Sequence, residues 1–141
     1  MSTARTLLGF DYGKKRIGVA VGQKLTATAT PAETLHSSND QPDWAGIARL
    51  IETWRPQALV VGLPLHMDGT EHALTEAARE FGRELEQRFD LPVHLIDERL
   101  TSIEAGHLLA GTTKNARRRK ADIDKVAAQL ILETWLSQNK T

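Results

Sequence analysis

Cysteine is absent from this chain. That removes disulfides, thiolate metal sites and a cysteine nucleophile together. Long apolar runs are missing as well. No stretch approaches the roughly 18 residues that a membrane span needs, so no membrane partner is expected. Residues 1–5 (MSTAR) lack the charged segment and apolar core of a secretory signal, and the expected location is the cytoplasm. Net charge is zero, with 18 basic and 18 acidic side chains, which excludes coating nucleic acid by bulk charge alone. Aromatic residues make up only 5%, and no aromatic-rich RNA-binding signature is present. Neither a Gly-x-Ser-x-Gly elbow nor a Walker-A loop occurs. The histidines, at 36, 66, 72, 94 and 107, show no HxH or HExxH spacing, so zinc is not expected.

What remains is an ordinary globular composition, 40% hydrophobic and 26% charged over 141 residues. It fits one domain, residues 1–141. Apolar periodicity divides the chain into short strands and amphipathic helices. Residues 6–11 (TLLGFD) and 17–21 (IGVAV) read as two strands joined by YGKKR, a hairpin turn containing a glycine. Residues 26–30 (TATAT) suggest a third strand ending at Pro31. Ile47, Leu50, Ile51 and Trp54 fall on one helical face, and Pro56 ends that helix. Residues 58–62 (ALVVG) form a buried strand, and 63–71 a loop rich in Pro, Asp-Gly and Thr. Residues 72–89 predict a charged helix with Leu74, Ala77, Ala78, Phe81 and Leu85 inside. A strand follows at 93–96. A capping box at 101–104 opens a helix near 102–110, which Gly111 closes. A basic loop, in which five of the seven positions 114–120 are Lys or Arg, precedes a last helix over about 122–138. The order βββαβαβαα implies an α/β fold with a mixed sheet: three leading antiparallel strands, then parallel strands, flanked by helices.

Three acids stand out against this layout. Asp11 ends the first strand, Asp97 and Glu98 follow the last one, and Asp124 lies at the start of the last helix. Ligand sites of open α/β sheets gather at the carboxyl ends of strands. Each acid also has a structural explanation: a turn for Asp11, a surface ion pair for Glu98, the helix dipole for Asp124. Asp122, however, is the better cap. An N-cap there places Asp124 within the helix, on the face of Ala127, Ala128 and Ile131 that packs inward. Two carboxylates about 5 Å apart repel by roughly 3 kcal/mol at an effective dielectric near 20. A converging trio therefore calls for a counter-charge, and a hard cation with oxygen ligands such as Mg²⁺ is the natural one. A pair of such ions can clamp the attacking and leaving oxygens of a phosphodiester.

Four segments, taken in order, resemble the YqgF/RuvX family, whose members are described as Holliday junction resolvases and as pre-16S ribosomal RNA nucleases. They are FDYGKKRIGVAVG at 10–22, VVGLPLHMDGTE at 60–71, DERLTS at 97–102 and DKVAAQLILE at 124–133. The resemblance spans roughly residues 7–136 and implies a ribonuclease H-like fold. It also implies that Asp11, Glu98 and Asp124 bind Mg²⁺ or Mn²⁺ and support attack of an activated water on a phosphodiester, with Asp97 a neighbour. Lys14, Lys15, Arg99, Lys114, Arg117, Arg118, Arg119 and Lys120 become candidates for contacts to the nucleic-acid backbone, which position a strand without reading its sequence. The lysines at the hairpin tip serve equally well as solubilising charge, and a solvated loop accounts equally for 114–120.

The substrate class stays open between structured RNA and branched DNA. The resemblance favours processing the 5′ end of pre-16S rRNA, with a Holliday junction as the alternative. A junction cutter acting symmetrically would call for a two-fold homodimer. Two other classes fit parts of the sequence. Asp11, Gly13 and Gly18 match the DxGxxxxG phosphate loop of actin-like ATPases, but those enzymes hold nucleotide between two such domains. A binding module without catalysis is the other, and the three retained acids argue against it.

Overall fold

Alternation of apolar side chains builds the centre of the molecule. The computed structural model describes residues 6–97 and 116–139, and of 116–123 the backbone only. Strand β1 (Thr6–Tyr12) pairs antiparallel with β2 (Arg16–Gln23), and Asp11 stands opposite Gly18. The turn between them is tight. A Cβ on Gly13 would lie 2.7 Å from the carbonyl oxygen of Arg16, which leaves glycine the fitting residue there.

Strand β3 (Thr28–His36) pairs antiparallel with β2. It does not stop at Pro31 as its sequence suggests, but continues for five more residues. The register explains why. Val19 pairs with Glu33 and Ala20 with Pro31, so Ala32 is an extra residue and the strand bulges beside the proline. β3 is also the sheet edge, where a missing N–H costs no inner ladder bond.

Helix α1 (Trp44–Trp54) starts where the Asp43 carboxylate accepts a hydrogen bond from Gly46 N–H, and stops at Arg55 in left-handed backbone, just before Pro56. Ile47 and Leu50 are buried and Ile51 is half-buried. Trp54, expected on the same face, is 41% exposed. Strand β4 (Ala58–Leu63) lies parallel to β1. Helix α2 (Ala73–Phe89) is capped by His72, whose Nδ1 accepts from Leu74 N–H, and buries Ala78, Phe81 and Leu85. Strand β5 (Val93–Asp97) lies parallel to β4. The expected helix near 102–110 lies outside the described residues.

Helix α3 (Ala116–Gln138) begins six residues before its expected start. Positions 116–120 therefore open a helix and do not form a loop, and Asp122 is an interior residue, not a cap. The sequence from 116 to 138 holds neither Gly nor Pro, and Ala, Arg and Lys are strong helix formers. Propensity here outweighs the capping signal of Asp122.

The sheet order is β3-β2-β1-β4-β5, antiparallel over the first three strands and parallel thereafter, the mixed α/β architecture expected. Two apolar layers flank it. Leu8, Phe10, Ile17, Val19 and Val61 pack on Ile47, Leu50, Phe81 and Leu85 of α1 and α2. On the other face Leu7, Ala20, Ala29 and Val60 pack on Ala128, Ile131, Leu132 and Leu136 of α3.

Candidate active site

Side chains alternate along a strand, so Leu7, Gly9 and Asp11 share the α3 face of β1 while Leu8, Phe10 and Tyr12 take the other. On β2 the same rule puts Arg16, Gly18 and Ala20 on the α3 face. Small residues let the helix settle close. A Cβ at Gly9 would lie 2.9 Å from Leu132 Cβ, and one at Gly18 would lie 2.0 Å from the carbonyl oxygen of Asp124. Gly18 is therefore in backbone contact with α3 at Asp124 and is the Cα partner of Asp11. Neighbouring strands run about 4.8 Å apart. Asp11 and Asp124, 113 positions apart in the chain, are thus both neighbours of Gly18, one across the β1–β2 ladder and the other across the packing of α3 on the sheet. Both are partly buried.

Asp124 has a partner that the sequence did not suggest. Arg16, the first residue of β2, donates from Nε to Asp124 Oδ2 at 2.6 Å. By sequence alone Arg16 falls in the turn YGKKR and has no role assigned to it beside Lys14 and Lys15. Strand periodicity was the signal that separates it, since it falls two residues before Gly18 on the same face.

Glu98 and Arg99 lie outside the described residues, as does Lys114. The position of β5 still bears on the choice between the adjacent acids. Gly62 pairs with Ile96 and Leu63 with Asp97. Ile96 packs in the α3 layer with Trp135, whereas Leu95 reaches α2 beside Gly82. Asp97, two residues after Leu95, is on the α2 side of the sheet. The carboxyl ends of β1, β4 and β5 lie side by side.

Lys14 and Lys15 are exposed at the hairpin tip just beyond Asp11. The backbone of Arg117, Arg118, Arg119 and Lys120 forms the first turns of α3, ahead of Asp124. That end of the helix carries the positive pole of the macrodipole in addition to its basic residues. Among the described residues no three of His, Cys, Asp and Glu cluster in a way that could hold a metal. His72 caps α2, and the His94 ring stacks on Trp135 with centroids 4.7 Å apart. Gln129 and Glu133, late in the segment DKVAAQLILE, fasten α3 to the edge strand: Gln129 Nε2 donates to the Ala29 carbonyl at 3.0 Å, and Ala29 N–H donates to Glu133 Oε2 at 3.3 Å.

Proteins similar to this chain share its length. One from Legionella pneumophila (strain Paris), named "Putative pre-16S rRNA nuclease", is 50% identical over 133 residues, covering 94% of this chain and 96% of that protein. Proteins of the same name from Azotobacter vinelandii and Pseudomonas putida are 50% and 49% identical, covering 98% and 99% of this chain and 97% and 99% of theirs. Among solved structures, Thermus thermophilus RuvC in complex with a Holliday junction superposes with a TM-score of 0.56 at 18% identity, over 96% of this chain and 97% of that one. The fowlpox virus resolvase bound to Holliday junction DNA gives 0.56 at 10% identity, over 94% and 97%. At such identities the likeness is one of fold, the ribonuclease H-like fold of these resolvases. The family model described as "RuvX: Holliday junction resolvase" matches residues 5–138, and this chain belongs to the RuvX family.

Proposed function

We propose that this chain is a single-domain, metal-dependent endonuclease that hydrolyses phosphodiester bonds in structured nucleic acid, with Asp11, Glu98 and Asp124 holding Mg²⁺ or Mn²⁺. The observation that carries this reading is the close approach of α3 at Asp124 to Gly18, the cross-strand partner of Asp11. The donor set fits a hard cation: two carboxylates, with a guanidinium already seated on one of them. Glu98 supplies the third donor. Asp97 belongs to the α2 side, away from Asp11, which counts against Asp97 as that donor. Held there, such cations would supply Lewis-acid polarisation of a phosphodiester and a more acidic bound water.

The chain's own residues do the rest. Asp11 and Asp124 present oxygens at the carboxyl end of β1, where a substrate phosphate can reach them. Lys14 and Lys15 hold the strand beyond the hairpin tip. Arg99 and the cations at 114–120 are assigned further backbone contacts by the family resemblance alone, and the positive end of α3 adds a dipole that favours phosphate.

For the substrate we propose the 5′ end of pre-16S rRNA in ribosome biogenesis, acted on in the cytoplasm; the names of relatives about half identical over nearly the whole chain support it. The family description supports a second reading, a four-way DNA junction, for which a homodimer would match the two-fold symmetry of the substrate. Cleavage of a precursor rRNA fragment and of a synthetic junction, by wild type and Asp11→Asn with Mg²⁺ or Mn²⁺, tests both. Metal-dependent cutting of the RNA alone supports the first reading, and cutting of the junction alone the second. Failure of wild type on both counts against a nuclease.

A further inference from the structure

Arg16 and Asp124 are 108 positions apart, yet Arg16 Nε lies 2.6 Å from Asp124 Oδ2. The Arg16 side chain is 33% exposed and that of Asp124 20%, so the pair is not a loose surface contact of the kind worth little. Both ends are anchored. Arg16 is two residues before Gly18 on the same face of β2, and Gly18 is packed against the backbone of Asp124 itself. Asp11, on the next strand, is the Cα partner of Gly18. A guanidinium here does more than offset acidic charge. Its Nε–H is a directional, charge-assisted donor. It engages one carboxylate oxygen, Oδ2, and so fixes the plane in which Oδ1 is presented. Carboxylates that ligate metals are commonly oriented by such a second hydrogen bond.

We propose that Arg16 is the positioning residue for Asp124: by holding Oδ2 it sets the orientation in which this carboxylate would meet a divalent cation. This rests on the metal-binding reading of Asp11 and Asp124 above. Arg16 itself touches neither cation nor substrate, and acts through the carboxylate it holds.

The test uses the full chain and Mn²⁺ alone as probe, with free Mn²⁺ followed by electron paramagnetic resonance. Arg16→Met keeps the length of the side chain and removes the donor. It should weaken Mn²⁺ binding by about tenfold or more, the range for losing a partner of a metal ligand. Arg16→Lys keeps the charge without the fixed planar donor, and should fall between Arg16→Met and wild type. In EDTA, melting of Arg16→Met, Asp124→Asn and the double variant should show coupling, the double variant losing less than the two single losses together. Unchanged or tighter Mn²⁺ binding by folded Arg16→Met overturns the proposal, and tighter binding would make Arg16 a competitor of the cation. Where Arg16→Met does not fold, Arg16→Lys decides, and affinity equal to wild type overturns it. Wild type that binds no Mn²⁺ overturns the underlying metal reading, and this proposal with it. Normal wild-type binding with an unaffected Arg16 variant defeats the positioning role alone.

Discussion

At the scale of single residues, the acids stood out in the sequence and the cation beside Asp124 did not. Asp11 and Asp124 drew attention because each interrupts an apolar pattern, and the structure brings both to one face. Arg16 drew none, because a cation beside Lys14 and Lys15 reads as hairpin charge until strand phase is known. Asp11→Asn, Glu98→Gln and Asp124→Asn should each abolish metal-dependent cleavage in a gel assay while circular dichroism stays native. Asp97→Asn, altered on the α2 side, should retain it; a dead Asp97→Asn beside an active Glu98→Gln would reverse the choice within DERLTS. A second expectation at this scale concerns Tyr12. Burial raises its phenol pKa above the ordinary 10.0, and the negative charges of Glu84 and Asp40 add to the effect. The ring packs on Phe81 with centroids 4.9 Å apart. The folded protein thus keeps a proton that the unfolded chain releases, so this contribution to stability is whole below the ordinary value and drains away as pH rises through the folded one. Tyr12 is the single tyrosine of the chain, so absorbance of tyrosinate near 295 nm reads it alone. The midpoint should lie above 10.0, and should drop to the ordinary value in strong denaturant.

At the scale of elements, strands were easier to place than helix ends. Periodicity two is a strong local signal, and β1, β2, β4 and β5 lie within two residues of where the sequence put them. The start of α3 was misplaced because capping and propensity gave opposite advice at Asp122, and over 116–121 propensity prevailed. The shift alters what the basic cluster can do. The backbone of Arg117, Arg118 and Arg119 belongs to the same helix as Asp124, not to a loop. Replacing all three with Ala should weaken substrate binding and lower the salt slope by about one unit for each phosphate no longer neutralised. Binding isotherms at several salt concentrations decide it, and an unchanged slope would return these residues to plain solvation. The close packing of β2 on α3 makes its own prediction. The Cβ of Gly18→Ala would meet a backbone oxygen at 2.0 Å, not the end of a flexible side chain. Relief requires moving the helix away from the sheet. The variant should lose at least the roughly 1–3 kcal/mol typical of overpacking, read as a lower urea midpoint, and should bind Mn²⁺ more weakly because Asp124 moves away from Asp11. Loss of stability with unchanged Mn²⁺ binding would separate the packing from the site.

At the scale of the whole molecule, the site is a joint between the ends of the chain. β1 and β2 come from the first 23 residues, α3 from the last 26, and they meet only because the sheet puts β1 near its centre and the small residues of β1 and β2 admit the helix. No local pattern states that meeting; the sequence hinted at it only through Asp11 at the carboxyl end of a strand and Asp124 on the inward face of a helix. Metal binding should therefore report on global folding. An ion that binds only the folded state raises its melting midpoint by mass action, so Mn²⁺ titrated to millimolar levels should raise that of wild type in a calorimetric scan. Asp11→Asn should respond less, having lost a ligand. In EDTA the two acids should part company. Asp124 is held by Arg16, and Asp124→Asn leaves a half-buried guanidinium without its carboxylate, so it should melt below wild type. Asp11→Asn removes a negative charge that the proposed site sets near Asp124, and should melt at the same temperature as wild type or higher. A destabilised Asp11→Asn together with a wild type indifferent to Mn²⁺ would mark Asp11 as a structural residue of the hairpin, and the joint between sheet and helix as packing without a metal site.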